Sequence, residues 1–356
     1  MQDAYLMLAI AEGFGESPTP GLLRPDVDPE ALLLSPPKPP VVPLRVAQRL
    51  RQKDLQAQAR AMRQEAVSLG LQVLTPTDKD WPHRLSQQPL APLVLFVKGD
   101  AKVLQCEPAC AAVGSRTPTP YGIDAAKNLC AAMARSGTIL WSGLARGIDG
   151  IAHTACLTAD NPTVAVLAGS MDCIYPPEHE DLAERIVANG GCLISELPPR
   201  RRARRGHFVR RNRLLAAGPQ AVLVIEGSLA SGALHTARFA TDCSTEVFAV
   251  PGPWQSERSQ GCHRLIAEGA GIVESPESLL QSLGLVMNNA KTSLHLETSA
   301  QQQAILAHLS RGPRPTDLLQ RECALEDAAF LRALFGLEQN GWIERLPGDL
   351  WRNVTA

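Results

Sequence analysis

The stretch Arg200–Arg213, RRRARRGHFVRRNR, holds eight arginines in fourteen residues and no acidic one. A guanidinium is planar, permanently charged and able to grip two anionic oxygens at once, so such a cluster suits phosphate recognition. Its second half sets Phe208 beside Arg210, Arg211, Asn212 and Arg213. There a nucleobase could stack on the ring while the arginines and the amide take the sugar–phosphate backbone. Plainer readings stand beside these: Arg200–Arg205 as a solvated charged loop, and Phe208 as a core residue.

Three further turns carry groups of the same kind. In GSRTPTPYG, Gly114 permits a tight turn, Ser115 offers a hydroxyl and Arg116 a guanidinium, ahead of a helix expected to begin near Gly122. In SGLARGIDGIAH, Gly143 and Arg146 precede another helix, and in EGSLASGALHTA, Ser231 and Gly232 open a third. The first N–H groups of a helix have no partner within it and attract anions. Any one such turn is ordinary; several on one edge, together with the arginine stretch, would form a row of phosphate-sized sockets. Neither GxGxxG nor GxxxxGK[ST] occurs at these turns, so dinucleotide and nucleoside-triphosphate sites lose support.

Catalytic groups are sparse. The histidines His153, His179, His207, His235 and His263 lie in separate segments without HExxH or a comparable ligand pair. Asp149 and Asp172 follow strands where caps and turn formers are common, and Glu226 ends a strand at the edge of the expected crevice. No catalytic residue, metal site or cofactor is expected.

Elements of a particular kind must hold these turns. Continuous apolar runs occur at 109–113, 138–143, 163–169, 192–197, 221–227 and 246–252, alternating with helical stretches at 122–135, 148–158, 178–189 and 232–242. Unbroken apolar runs fit strands covered on both faces, and strand–helix–strand repetition calls for right-handed crossovers. The expected class is α/β: a doubly wound, Rossmann-like parallel sheet over 71–284, with ligands outside the carboxyl ends of its strands. Residues 1–70 read as a small helical domain with a proline-rich piece, Ser35–Pro43, and one helical segment, Leu44–Gly70, ending at a glycine. Residues 285–300 read as a linker. Residues 301–356 read as three helices and a hairpin turning at PGD, a winged helix. Its candidate recognition helix, Glu326–Asn340, has one arginine and three acidic residues, which suits a docked partner better than duplex DNA.

Composition bounds the rest. The chain has 356 residues, 35 basic against 36 acidic, so anion binding must be local rather than a basic coat. Nine scattered cysteines without a CxxC pair argue against a disulfide framework or zinc ribbon. The start lacks a signal-peptide pattern and no run nears the roughly 20 apolar residues of a membrane span, so a soluble, cytoplasmic protein is expected. Aromatic residues make up only 4%, so backbone electrostatics must dominate over stacking in any nucleic-acid complex. For about six phosphates on a single strand the salt slope is roughly −4, and a fourfold rise in salt weakens binding about 340-fold.

The blocks AAVGSRTPTPYG, SGLARGIDGIAHTACL, TVAVLAGSMDCIYPPEH, LISELPP, RRNRLLAAG and EVFAVPG with SQGCHRLIAEGA, in this order, resemble the DNA-processing protein A (DprA, or Smf) family. The ends resemble that family's sterile-alpha-motif-like and winged-helix domains. The resemblance implies a non-enzymatic protein of natural transformation that binds single-stranded DNA without sequence specificity, protects it and helps load the recombinase RecA. Carried over by motif, the DNA contacts are Ser115 and Arg116, Gly143 and Arg146, Phe208, Arg211, Asn212 and Arg213, with Ser231 and Gly232 at the third turn. A homodimer would form around His263 and Ile266, although a helix facing its own core reads equally well. Two departures stand out: Val209 where the family has proline, and Ala230 where it has a basic residue. The Arg200–Arg205 run could compensate for the second. An enzyme of another class, a phosphoribohydrolase resembling the lysine-decarboxylase-like group, would need a PGGxGTxxE turn; EGSLASGALHTA has no glutamate after its glycines.

Overall fold

A computed structural model describes residues 2–16, 28–37, 39, 42–88, 91–285, 299–310, 312–323, 325–339, 342–346 and 348–354. Most of the expected linker, parts of the proline-rich piece, Asn340 and Pro347 lie outside the described residues. The chain divides into two compact units, Met1–Met287 and Asn288–Ala356.

The larger unit begins with helices α1 (Gln2–Glu12), α2 (Pro29–Leu34), α3 (Leu44–Arg49) and α4 (Leu55–Ser68). Strand β1 (Gln72–Leu74), helix α5 (His83–Ser86) and strand β2 (Leu95–Gly99) lead to β3 (Ala109–Val113). Then come α6 (Pro120–Arg135), β4 (Ile139–Ser142), α7 (Ile148–Thr158), β5 (Thr163–Val166), α8 (Glu180–Ala188) and β6 (Cys192–Ser195). The unit ends with α9 (Arg205–Ala217), β7 (Ala221–Val224), α10 (Gly232–Asp242), β8 (Glu246–Ala249), α11 (Gln260–Ala267), β9 (Gly271–Ile272) and α12 (Pro276–Ser282).

These strands form one sheet in the order β1-β2-β6-β5-β4-β3-β7-β8-β9. Every pairing from β6 to β9 is parallel. The order reverses between β3 and β7, and that switch point leaves a crevice at the carboxyl edge. The expectation of a parallel sheet needs one extension: β2 joins β6, and β1 joins β2, both antiparallel.

Strands β3 to β7 are buried along their whole length, as their unbroken apolar runs require. Alternate residues then face opposite helical layers. Trp141, Val164, Val166 and Val222 pack with Leu214 and Leu215 of α9, Ala237 of α10 and Leu265 of α11. Cys110, Leu140 and Leu223 pack with Met133 of α6, Ala152 of α7 and Leu279 of α12. Each large apolar side chain so buried contributes about 1.5–3 kcal/mol.

Two expectations for the N-terminal region change. Leu44–Gly70 is two helices rather than one, because residues 50–54 form tight turns, with Arg51 N–H on Gln48 O and Gln52 N–H on Arg49 O. The break lets Val46 and Leu55, on separate helices, both enter the core. That core is shared: Leu6 and Leu8 of α1 pack in one cluster with Phe96, Ala165, Leu193 and Ile186, so these helices do not form a compact unit of their own.

The smaller unit contains α13 (Ala300–Leu309), β10 (Arg314–Pro315), α14 (Thr316–Cys323), α15 (Asp327–Gln339), β11 (Ile343–Leu346) and β12 (Leu350–Asn353), with strand order β10-β12-β11. Ile305, Leu319, Phe330, Leu337, Ile343 and Trp351 build its core. These are the expected three helices and hairpin of a winged helix, plus one short strand. Leu331 and Phe335 of α15 stand outside that core, both more than half exposed.

Candidate nucleic-acid interface

The turn from β3 into α6 lies at the switch point. Gly114 packs so tightly that a Cβ there would meet Ile148 at 2.6 Å and Glu226 O at 3.0 Å. Ser115 Oγ accepts from Thr117 N–H at 3.2 Å, and Arg116 projects into solvent. Helix α6 starts at Pro120, two residues before the expected Gly122, with Thr119 as its cap. Thr119 N–H and Oγ1–H both donate to the buried Glu226 carboxylate. That glutamate holds a helix start, as a carboxylate near a helix N-terminus does well, and stands behind the crevice rather than in it.

Arg116 lies over the Phe208 ring, Cζ 5.1 Å from its centroid, a cation–π distance. Tyr175, from the segment after β5, meets Phe208 edge-on at 5.7 Å and 73°. Phe208 is half-buried, so one assembly joins three segments distant in sequence.

The arginine-rich stretch splits in two. Residues 200–204 form an anchored loop: Arg200 N–H donates to Asp172, and Arg201 exchanges hydrogen bonds with Ser170. Arg200 also pairs with Glu65 at 2.8 Å. Arg201, Arg202 and Arg205 are exposed and form no ion pair with any described residue. Arg205 opens α9. Cations at a helix N-terminus oppose the helix dipole, so the fold tolerates an unfavourable local field where an anion would relieve it.

The second half turns inward. Arg213 donates to Glu196, and Arg210 adds bonds to the same carboxylate at 3.3 and 3.4 Å. Burial works against the Glu196 charge, but Arg213 and Arg210 hold the carboxyl below its ordinary value. Arg211 donates to Gly143 O at 2.8 Å and to Val166 O, clamping the ends of two strands. Burial lowers its guanidinium to about 10, opposed by the charge of Asp149. Asp149 in turn accepts Gly143 N–H at 3.1 Å, and burial raises it despite Arg211. Gly143 is required by this packing: a Cβ would sit 2.2 to 2.5 Å from the Arg211 guanidinium. Asn212 donates to Gly232 O at 3.2 Å, tying α9 to the start of α10, where Ser231 Oγ accepts Ala233 N–H.

The crevice enclosed by these groups has a volume of about 900 Å³. It brings together Ser115, Arg116, Phe208, Arg211, Asn212, Ser231 and Gly232 of the expected residues. Gly143, Arg146 and Arg213 are not on its wall. Arg146 is exposed in an ion pair with Glu178 at 2.5 Å, and Gly143 and Arg213 act from behind. His263 bonds Gly252 of its own chain, Nε2 3.0 Å from the carbonyl oxygen, and Ile266 packs half-buried against the core.

Sequence reasoning did not find Arg258. It comes from the loop after β8, lines the crevice, and donates to Thr117 Oγ1 at 2.8 Å and Ser115 Oγ at 3.3 Å. Ala230 and Arg205 line the same crevice. The wall carries Arg116, Arg205, Arg211 and Arg258 against Asp149 and Glu257, a positive balance suited to a polyanion. Among the described residues, no three potential metal ligands cluster, and no helix is long and apolar enough to cross a membrane.

Comparison with known proteins agrees with this fold. Residues 72–284 match the family model described as DNA recombination-mediator protein A, and residues 289–349 match a DprA winged helix domain. A putative DNA processing protein DprA from Mycobacterium tuberculosis (strain H37Rv) is 37% identical over 305 residues, 81% of this chain and 78% of that protein. Protein Smf from Escherichia coli (strain K12) is 35% identical over 288 residues, 78% and 77% of the two chains. The X-ray structure of DNA processing protein A from Streptococcus pneumoniae superposes with a TM-score of 0.58 at 31% identity, covering 66% of this chain and 84% of that one. A Helicobacter pylori DNA processing protein A, solved in work on its single-stranded DNA binding mode, gives 0.54 at 28% identity, covering 60% and 95%.

Proposed function

The chain belongs to the DNA recombination-mediator protein A family, and on that footing we propose that it binds single-stranded DNA without reading base sequence, in the crevice at the carboxyl edge of its sheet. One observation carries the reading: the exposed Arg116 guanidinium lies 5.1 Å from the Phe208 ring in a cleft that also holds Arg258. A phosphate can be taken by either cation while the neighbouring base meets the ring or its Tyr175 partner. The single-strand binding mode of the Helicobacter pylori relative supports the same choice of ligand.

The bound strand is handed on rather than cut. Glu226 is engaged with Thr119 behind the crevice and Asp149 with Gly143 N–H, so neither stands as a free general base. Protecting the strand and loading RecA during natural transformation follow as the wider role, with a homodimer formed through the surface near His263 and Ile266. Ser115, Arg116, Phe208, Asn212, Ser231, Gly232 and Arg258 contact the strand, while Gly143, Arg211 and Arg213 hold the walls in place.

Titrating labelled single-stranded and duplex oligonucleotides of equal length across a salt series tests the proposal. Single strands are expected to bind tighter, with log K falling linearly in log salt at a slope of about −4 for roughly six phosphates. Equal or tighter duplex binding, or a flat salt response, would contradict it.

A further inference from the structure

We propose that Trp254 is a second base-stacking site, at the β8 end of the crevice, taking an unpaired nucleobase of the strand whose first base meets Phe208. This rests on the single-strand reading above. Indole rings are among the largest apolar side chains, and folded chains cover them. Trp81 and Trp141 obey, at 1% and 0% exposure, whereas Trp254 is 78% exposed.

The loop presenting it is held firmly. The Tyr121 hydroxyl donates to Pro251 O at 2.5 Å, and His263 holds Gly252. Two tight turns follow, Ser256 N–H on Pro253 O and Ser259 N–H on Ser256 O, both at 3.0 Å. Gly227 N–H donates to Arg258 O at 2.8 Å, and the Arg258 side chain reaches Thr117. An indole on a loop pinned at both ends loses little further entropy when a base covers it.

Its location gives it a ligand. Among the described residues of the larger unit, the other two largely exposed aromatic side chains are Tyr121 and Tyr175, on the segments after β3 and β5 at this same sheet edge. Tyr175 lines the crevice with Arg116 and Arg258, while Tyr121 and Trp254 stand outside its wall, Tyr121 bonded to Pro251 of the Trp254 loop and Trp254 four residues before Arg258. Strands β3, β7 and β8 are successive neighbours, so two spacings of ~4.8 Å, about 10 Å, separate the strand end that carries Arg116, over the Phe208 ring, from the one that leads to the Trp254 loop. More than one nucleotide is needed to reach from one ring to the other, and Arg258 bridges the gap, from the loop after β8 to Thr117 after β3.

Intrinsic fluorescence and the anisotropy of labelled thymidine oligomers test this directly. A long oligomer of about fifteen nucleotides should quench the wild-type protein. Trp254→Ala should remove most of that quench and weaken binding about fivefold or more, and Trp254→Phe, which loses the quench with the indole, should keep an affinity near wild type. For an oligomer of about four nucleotides, held at the Phe208 end, the alanine variant should lose far less. If the wild type binds the long oligomer tightly while Trp254→Ala keeps both affinity and quench, the stacking site is overturned and the single-strand reading stands. A wild type that does not bind single strands removes that reading itself. If Trp254→Ala instead lowers the mass seen by light scattering, and its affinity recovers at high protein concentration, the residue is a self-association contact and the stacking site is again overturned.

Discussion

Arg205 and Arg213 stand about two turns apart on one helix, α9, and are used in opposite ways. Arg205 is exposed at the helix start and faces the crevice. Arg213 is buried and ion-paired with Glu196, with Arg210 sharing that carboxylate. The difference is one of position in the fold rather than residue type. A helix entering the protein from a sheet edge carries its first turn past solvent and its later turns past the ends of strands. Guanidinium groups at the rim are then available to a ligand, and those further in must find partners within the chain, since an unpaired buried charge is costly.

Breaking the inner set should produce the largest effect. Arg213→Ala leaves the largely buried Glu196 carboxylate to Arg210 alone and is expected to lower stability to urea by about 3 kcal/mol, the low end for breaking a buried pair. Arg205→Ala should change it by no more than ~0.5 kcal/mol. Equal effects would dissolve the distinction between the two sets.

Acid should separate the two regions as well. His153 is fully buried, with Nδ1 2.9 Å from Thr163 Oγ1, and burial lowers it from 6.5 to about 3. A depressed pKa means that the unfolded chain takes up the proton first. Stability is therefore complete above pH 6.5 and falls as pH drops toward 3, by up to about 1.4 kcal/mol per unit. The depressed Glu196 adds a further loss as pH falls below its ordinary carboxyl value of 4.5. Urea midpoints of His153→Gln should respond less to pH over that first interval. A slope unchanged from wild type would contradict the assignment.

A smaller effect, confined to binding, is expected from the outer set. Replacing Arg200, Arg201, Arg202, Arg204 and Arg205 with serine should leave stability nearly unchanged and flatten the salt slope by about 0.7 for each phosphate no longer neutralised. This also tests whether the run substitutes for a basic residue at Ala230, which lines the same crevice as Arg205. Unchanged affinity and slope would make the run a solvated loop.

Much of this was legible in the chain. Buried parallel strands declare themselves as continuous apolar runs, and the turns after them carry the candidate groups, so the crevice and Arg116 with Phe208 could be placed. Strands β1 and β2 were not read, because β2 is defined by a partner, β6, about a hundred residues away, and the short edge strand β1 only by β2. The break at residues 50–54 was hidden because its polar residues suit a helix as well as a turn. Arg258 was missed because only the adjacency of β3, β7 and β8 brings it to Ser115. The inward turn of Arg210 and Arg213 depends on Glu196, whose role no local pattern announces.

The central claim is that Arg116 at the crevice rim binds the phosphate backbone of a single strand. Its most direct test is the affinity of Arg116→Ala for a thymidine oligomer across a salt series. The account predicts binding weaker by about 1–3 kcal/mol, a salt slope shallower by about 0.7 and an unchanged urea midpoint. A variant that binds as tightly as wild type, with the same salt slope, would contradict it.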